Sequence, residues 1–402
     1  MSMDLEAAGA ALAGRRVLVT GAGGFVGGRL VERLVLGCRA EVRAQVHRVA
    51  GAVRVARFPI EIVCGDVTDR EFLAEAVRGC DVVFHCAYGT RGGRRQRALV
   101  NREGTRRLLE AAARAGAGRA VHLSTLMVYG RTPDGDLTEE APRRRLGEVY
   151  ADSKRAAERI ALAYARRGRL PVAVLQPTAV YGPYGGVWTA RVLAALRSGR
   201  VILVDGGDGL TNHVYIDDLV SAMLLAAVEP AAVGEAFLIS GAAPCTWREF
   251  YARFEEMLGA RGTVAMTAAE ARDHWRRWRR GRPHVPGVLL AALRGDRELR
   301  ERLFATPELV ALRELASTVL PESRQRRIKE RLGEGSGGAP PGGGLEEPPI
   351  HPLSPREIAF YRARTRVRID KARRLLGYRP AWDLEAGMAL TGRWARWAEL
   401  AP

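Results

Sequence analysis

The run Val17-Leu18-Val19-Thr20-Gly21-Ala22-Gly23-Gly24-Phe25-Val26-Gly27 constrains the fold of this 402-residue chain more than any other stretch. A β-branched segment leads into Gly21, Gly24 and Gly27, and an amphipathic Leu/Val/Arg segment follows. Gly21 permits a tight turn, Gly24 lets backbone approach a pyrophosphate, and Gly27 lets helix and strand pack closely. A phosphate held there would meet the positive N-terminus of the helix. A glycine triplet alone predicts only a turn. At the end of the first strand of a βαβ run it predicts a dinucleotide site, with Phe25 and Val26 among the contacts.

The partners of that unit are present. Short β-branched runs at Arg16–Thr20, Glu41–His47, Ile60–Cys64, Val82–Cys86, Ala120–Ser124 and Val172–Gln176 alternate with helical stretches at Gly27–Leu36, Glu71–Arg78, Asn101–Ala115 and Tyr150–Arg167. This pattern predicts an α/β fold, a Rossmann-type doubly wound parallel sheet over residues 1–180. Beyond it, helices at Trp188–Ser198 and Asp217–Val228 and strands at Val201–Val204 and Ala236–Ser240 suggest a smaller substrate lobe, 181–261 with 360–402, whose chain could cross back to the sheet. Residues 262–359 read as a basic helical insertion ending in a Gly/Pro-rich linker, Gly333–Pro352.

Composition excludes several classes. Hydrophobic residues are 47% and charged residues 27%, ordinary for a folded globule and unlike a disordered or collagenous chain. No apolar run reaches the roughly 18 residues that span a bilayer, and Met1 to Gly14 lacks a secretory signal pattern. Five scattered cysteines without a Cys-x-x-Cys pair suggest reduced thiols and a cytoplasmic location. The net charge of +18 is arginine in an Ala/Gly/Arg-rich chain, a compositional bias, and no nucleic-acid partner is expected from it. The seven histidines lack metal-ligand spacing, so no metal is expected. His85 and His122 end adjacent strands and are expected to line the cofactor cleft or satisfy backbone groups.

The second strand, Val42-Arg43-Ala44-Gln45-Val46-His47-Arg48, ends without the carboxylate that receives an NAD ribose. Arg48, with or without Arg43, could meet a 2′-phosphate instead, which leans towards NADP over NAD; a solvated arginine is the alternative. Asp66 could accept from an adenine amino group or cap the next helix, a role Thr68 or Asp69 could also fill. Further along, the strand ending in Ser124-Thr125 precedes Leu126-Met127-Val128-Tyr129-Gly130, and Tyr150 and Lys154 stand at i and i+4 on one helix face. An ammonium beside a phenol favours the phenolate. Tyr150 could then exchange a proton with a substrate hydroxyl, Lys154 could hold ribose hydroxyls, and Thr125 or Ser124 could orient the substrate oxygen.

In this order and spacing, the glycine loop, Thr125 and Tyr150-x-x-x-Lys154 resemble an extended short-chain dehydrogenase/reductase of the NAD-dependent epimerase/dehydratase family. Asn101-x-x-Gly104-Thr105, Pro177-Thr178-Ala179-Val180-Tyr181-Gly182-Pro183, Val214-Tyr215-Ile216-Asp217-Asp218-Leu219 and the closing Leu375-Leu376-Gly377-Tyr378 carry the same resemblance, over about 15–260 and 365–398. It implies cofactor contacts from Val67, Ala87, Asn101, Ser124, Pro177 and Val180, and substrate contacts from Tyr88, Thr125, Leu126, Met127, Thr178, Tyr181, Arg191 and His213. It also implies a homodimer built on the Tyr150 helix, where Ala156, Ala157, Ala161 and Ala163 permit close approach.

Two departures narrow the chemistry. Dehydratases of the family place an acidic pair directly after the Thr, and decarboxylating members keep a Glu nearby; here stand Leu126 and Met127, which have no proton to give. Nucleotide-sugar members carry a diphosphate-binding Arg where this chain has Thr211. The expectation is therefore an NAD(P)-dependent epimerase, or closely related oxidoreductase, acting on a sugar, nucleotide-linked or not, through a transient ketone. An NADPH-dependent carbonyl reductase is the alternative, and a non-catalytic NAD(P)-binding scaffold the reading from another class. The insertion, 21 basic against 13 acidic residues over 261–366, could form a lid for an anionic substrate, touch a membrane surface through Trp275 and Trp278, or simply pack those rings on the body.

Overall fold

The computed structural model describes residues 4–89, 93–130, 134–280 and 349–402. The first strands are β1 (Arg16–Thr20), β2 (Glu41–Val46), β3 (Glu61–Cys64), β4 (Val82–His85), β5 (Arg119–Leu123), β6 (Gly135–Leu137) and β7 (Val172–Pro177). There follow β8 (Ala179–Tyr181), β9 (Arg200–Val204), β10 (Leu210–Thr211), β11 (His213–Tyr215), β12 (Ala236–Ile239), β13 (Cys245–Thr246), β14 (Thr263–Met266), β15 (Ile350–His351) and β16 (Thr365–Val367). The helices are α1 (Leu5–Leu12), α2 (Phe25–Leu36), α3 (Arg70–Ala76), α4 (Arg94–Leu99), α5 (Thr105–Arg114), α6 (Val149–Arg166) and α7 (Arg191–Ser198). Then come α8 (Ile216–Val228), α9 (Trp247–Leu258), α10 (Ala268–Arg280), α11 (Pro355–Arg362), α12 (Asp370–Leu376) and α13 (Leu384–Trp397).

Seven strands form one sheet in the order β12-β7-β5-β4-β1-β2-β3, every pairing parallel. Alternate residues of each strand face opposite layers. Val17, Val19, Phe84 and Val121 pack with Leu30 and Leu34 of α2 and Leu219 and Met223 of α8. Leu18, Val83 and Ala120 pack on the other face with Leu73 of α3, Leu108 and Leu109 of α5 and Ala161 of α6. Burial on both faces explains why β4 and β7 read as unbroken apolar runs. Strand order reverses between β1 and β4, which opens the ligand crevice beyond their carboxyl ends.

Helix α8 packs on the sheet and β12 joins it beside β7, so this segment sits with the sheet rather than the lobe. In the lobe, β9 is flanked by β14 and β15. Ile350–His351, expected at the end of the linker, therefore form a strand. Helix α10 buries Ala268 and Ala271; Trp275 and Trp278, stacked at 4.9 Å, continue the same face at helical spacing. Arg272, Arg276, Arg277, Arg279 and Arg280 are exposed on the remaining faces. Those tryptophans thus follow the body-facing side of the helix. Residues 281–348, with most of the expected linker and lid, lie outside the described residues. Among the described residues no helix is long and apolar enough to cross a membrane.

Candidate active site

The glycine loop fills the crevice at the end of β1. Gly21 has φ +66, and a Cβ there would stand 2.8 Å from the Ala87 Cα and N, so this turn is closed to any larger residue. A Cβ on Gly27 would lie 2.3 Å from the Gly21 carbonyl oxygen. Gly24 is the N-cap of α2 and offers no capping side chain, which leaves first-turn N–H groups for an anion. Gln45, which sequence reasoning passed over, fixes the loop: its Oε1 accepts from the Gly21 N–H at 2.9 Å and its Nε2 donates to the Gly65 carbonyl at 2.7 Å. Phe25 and Val26 are half-buried beside the loop. These features fit a dinucleotide.

At the end of β2, His47 and Arg48 are exposed. Arg43 is elsewhere: it pairs with Glu61 at 2.7 Å and donates to the Ala76 carbonyl at 2.9 Å, so it cannot serve a 2′-phosphate and that expectation is corrected. Asp66 accepts from the N–H and hydroxyl of Thr68, and its other oxygen lies 3.6 Å from His47. Asp69, not Asp66, caps α3. Val67 is buried, and the Ala87 N–H donates to the Thr20 hydroxyl at 3.3 Å.

Thr125, Tyr150 and Lys154 converge at the end of β5. Thr125 starts a single 3-10 turn, Leu126–Tyr129, and its hydroxyl accepts from the Met127 N–H. Helix α6 is fixed at its start by Asp152, which accepts from the Leu146 and Gly147 N–H groups at 2.9 and 3.1 Å. Tyr150, in the first turn, faces the Thr125 side chain. The residue is 42% exposed. Burial raises the phenol's pKa, against the polar Thr125 side chain, with Tyr88 adding to the rise. Lys154 is buried and donates to the Leu123 carbonyl at 2.7 Å. Burial pushes its pKa down to about 8, with Cys86 and Glu158 acting in the opposite direction. The expected lowering of the phenol by Lys154 is therefore corrected: the ammonium is turned to the strand backbone, and burial dominates at the phenol.

Beneath these residues lies a network the sequence did not disclose. The buried Glu158 carboxylate, one turn beyond Lys154, accepts from the Ser124 hydroxyl at 2.6 Å, from Gln176 Nε2 at 2.9 and 3.0 Å, and from Arg143. Tyr129 donates to Gln176 Oε1 at 2.7 Å. The Ser124 hydroxyl, expected at the cofactor, is committed to Glu158. Asn101, in a π-helical turn, accepts from the Gly89 N–H and donates to Ser153, so its amide orders the loop after β4. His85 bridges the Thr20 and Thr105 hydroxyls at 2.8 and 2.9 Å. Neither nitrogen of the buried His122 ring has a hydrogen-bond partner among the described residues. Burial lowers the pKa of both, that of His85 to about 3.

On the substrate side, Leu126 and Met127 are half-buried beside Thr125, and the exposed Tyr88 ring meets Tyr150 edge-on at 6.0 Å. Pro177 ends β7 and the half-buried Val180 lies in β8; the Thr178 hydroxyl donates to the Ile239 carbonyl at 3.2 Å. Arg191 is exposed on α7. Tyr181 and His213 are corrected as substrate contacts: both are buried, their rings packed together at 5.7 Å and against Phe250. Thr211 is likewise buried and cannot stand in for a diphosphate-binding arginine.

Residues 17–240 match the model of the NAD dependent epimerase/dehydratase family. The chain is 32% identical over 270 residues to a 4-hydroxy-2-methyl-3-oxo-4-farnesyl-3,4-dihydroquinoline-1-oxide ketoreductase of Stigmatella aurantiaca, covering 64% of this chain and 79% of that protein. It is 30% identical over 243 residues to a 2-alkyl-3-oxoalkanoate reductase of Shewanella oneidensis, covering 57% and 62%. Among solved structures, an epimerase of Methanothermobacter thermautotrophicus shares the fold, with TM-score 0.70, 20% identity, and coverage of 98% of this chain and 97% of that one.

Proposed function

This chain belongs to the NAD-dependent epimerase/dehydratase family of extended short-chain dehydrogenases, and from that premise we propose that it reduces a ketone to a secondary alcohol, or runs the reverse reaction, on a substrate with apolar flanks. The observation that carries this reading is the convergence of Thr125, Tyr150 and Lys154 at the end of β5, with Leu126 and Met127 directly beside Thr125. Thr125 orients the reacting oxygen. Tyr150 gives or takes the proton at that oxygen, and the buried Lys154, anchored on the Leu123 carbonyl, places a cation at the same strand end, where it would hold the dinucleotide's ribose hydroxyls. A dinucleotide held at Gly21, Gly24 and Gly27 would supply or accept hydride at the adjacent carbon. Elimination or decarboxylation would require a second proton-transfer group, and Leu126 and Met127 offer none. The apolar pair and Tyr88 favour hydrocarbon over a polyol, whose buried hydroxyls would need partners. The ketone-reducing names of two relatives support this reading.

A second reading, epimerisation of a sugar hydroxyl through a transient ketone, is favoured by the same lack of further proton donors, since it needs only these three residues. Buried Thr211 weighs against a nucleotide-linked sugar. Purified protein offered NADPH or NADH with a panel of long-chain β-keto esters, and separately UDP-sugars, decides between them. Reduced cofactor consumed in step with alcohol formed supports the reductase; an epimer formed without net consumption replaces it with the second reading.

A further inference from the structure

Glu158 is a deeply buried carboxylate near the site, its side chain 1% exposed, and its hydrogen bonds among the described residues go to Ser124, Arg143 and Gln176, not to the three reacting residues. It gathers donors from separate elements around them: Ser124 at the end of β5, Gln176 in β7, and Arg143 in the loop before α6. Gln176 in turn takes the Tyr129 hydroxyl, and the Arg143 guanidinium lies 5.4 Å from the Tyr129 ring centre. Such a fully satisfied buried network fixes geometry, and removing one member leaves the others unpaired. Ser124 directly precedes Thr125, and Glu158 follows Lys154 by one helical turn on the same face.

We propose that Glu158 is a positioning residue: its carboxylate holds Ser124, and so the strand end that aims Thr125, and it is the counter-charge of the buried Lys154. This rests on the reading of Thr125, Tyr150 and Lys154 given above. Groups facing Lys154 from the neighbouring elements are Cys86 and His85 from β4 and its end, His122 from β5, and the Tyr88 ring at 5.6 Å; Glu158 is the carboxylate among them. With Cys86 and the histidines neutral, Glu158 supplies the negative charge that opposes the cost of burying the ammonium.

The test uses full-length protein, NADPH and phenanthrenequinone as an activated carbonyl probe, with kcat and KM followed across pH. Glu158→Gln keeps the volume and removes the charge. It is expected to lower kcat by about ten-fold or more with KM changed less than about three-fold, and to move the alkaline limb of the profile acidward by about one pH unit. Ser124→Ala, which keeps the charge, is expected to lower kcat and leave the limb in place; a merely structural loss would not separate the two variants this way. If Glu158→Gln does not fold, Glu158→Asp carries the test, expected to keep the limb and lose kcat. Unchanged kcat and limb in a folded Glu158 variant, while Tyr150→Phe abolishes turnover, overturns this proposal and leaves the reading of the site standing. Turnover surviving in Tyr150→Phe overturns both.

Discussion

The Lys154 ammonium donates at 2.7 Å to the carbonyl of Leu123, on the strand that continues into Thr125, whose side chain Tyr150 faces. The buried cation is thus anchored to the same backbone that aims the orienting hydroxyl. Proton transfer and cation placement share one rigid element, the end of β5.

Tyr150 carries the proton. Tyr150→Phe removes the hydroxyl and keeps the ring against Tyr88, so turnover should fall by about 10²- to 10⁴-fold. Dinucleotide affinity, read by nucleotide fluorescence, should change little. A variant that retained more than a tenth of wild-type turnover would remove Tyr150 from the mechanism.

Lys154 is held for function at a cost in stability. Its pKa is pushed down from 10.5 to about 8 by burial. Between these values the unfolded chain holds a proton that the native protein releases, so stability should rise with pH across that window, by at most about 1.4 kcal/mol per unit. Below it, the native state carries the full cost of the buried charge. Lys154→Met should abolish turnover, raise the melting temperature at pH 7, and flatten this slope. A lower melting temperature would contradict the assignment.

His122 is buried with both ring nitrogens unpartnered among the described residues, and His85 beside it is held neutral, its pKa lowered to about 3. As pH falls below the unfolded value of 6.5, the unfolded chain takes up protons these rings refuse, and stability should drop by up to about 1.4 kcal/mol per unit for each. Asp218 works in the opposite sense: burial raises its pKa to about 6, so its contribution improves as pH falls from there towards 3.8. His122→Leu should raise the melting temperature at pH 7, by more at pH 5.5, because it removes two unsatisfied polar atoms. Chemical denaturation at both pH values reads this directly; a destabilised variant would point to a partner for the ring.

Gly27→Ala would place a methyl carbon 2.3 Å from the Gly21 carbonyl oxygen. The loop must shift to accept it, so dinucleotide affinity should fall at least ten-fold and stability by about 1–3 kcal/mol. Isothermal titration with NADPH and NADH checks the first, thermal unfolding the second. Wild-type affinity in this variant would separate the glycine loop from the cofactor.

What the sequence disclosed was what local rules govern. Unbroken apolar runs located the strands of the main sheet, and the glycine spacing located the turn at Gly21. The i, i+4 spacing put Tyr150 and Lys154 on one face. The small sheets were not visible, because β6 with β16 and β9 with β15 pair residues more than a hundred positions apart through strands of a few residues. Side-chain direction was also hidden. Arg43 reads like a phosphate ligand until Glu61 and the Ala76 carbonyl claim it, and Tyr181 and His213 sit in motif positions but turn into the aromatic core with Phe250. Glu158 carries no local signal beyond its spacing from Lys154; only the fold brings Ser124, Gln176 and Arg143 to it.

The central claim is that hydride passes between a consumed cofactor and a ketone or alcohol. Protein purified without added nucleotide, then denatured, releases whatever dinucleotide it retained, and mass spectrometry identifies it. The account predicts a site largely empty after purification that binds NADPH reversibly, in keeping with the exposed Arg48 and the missing carboxylate at the end of β2. Near-stoichiometric NAD that does not exchange would contradict it and assign the site to chemistry in which the hydride never leaves the protein.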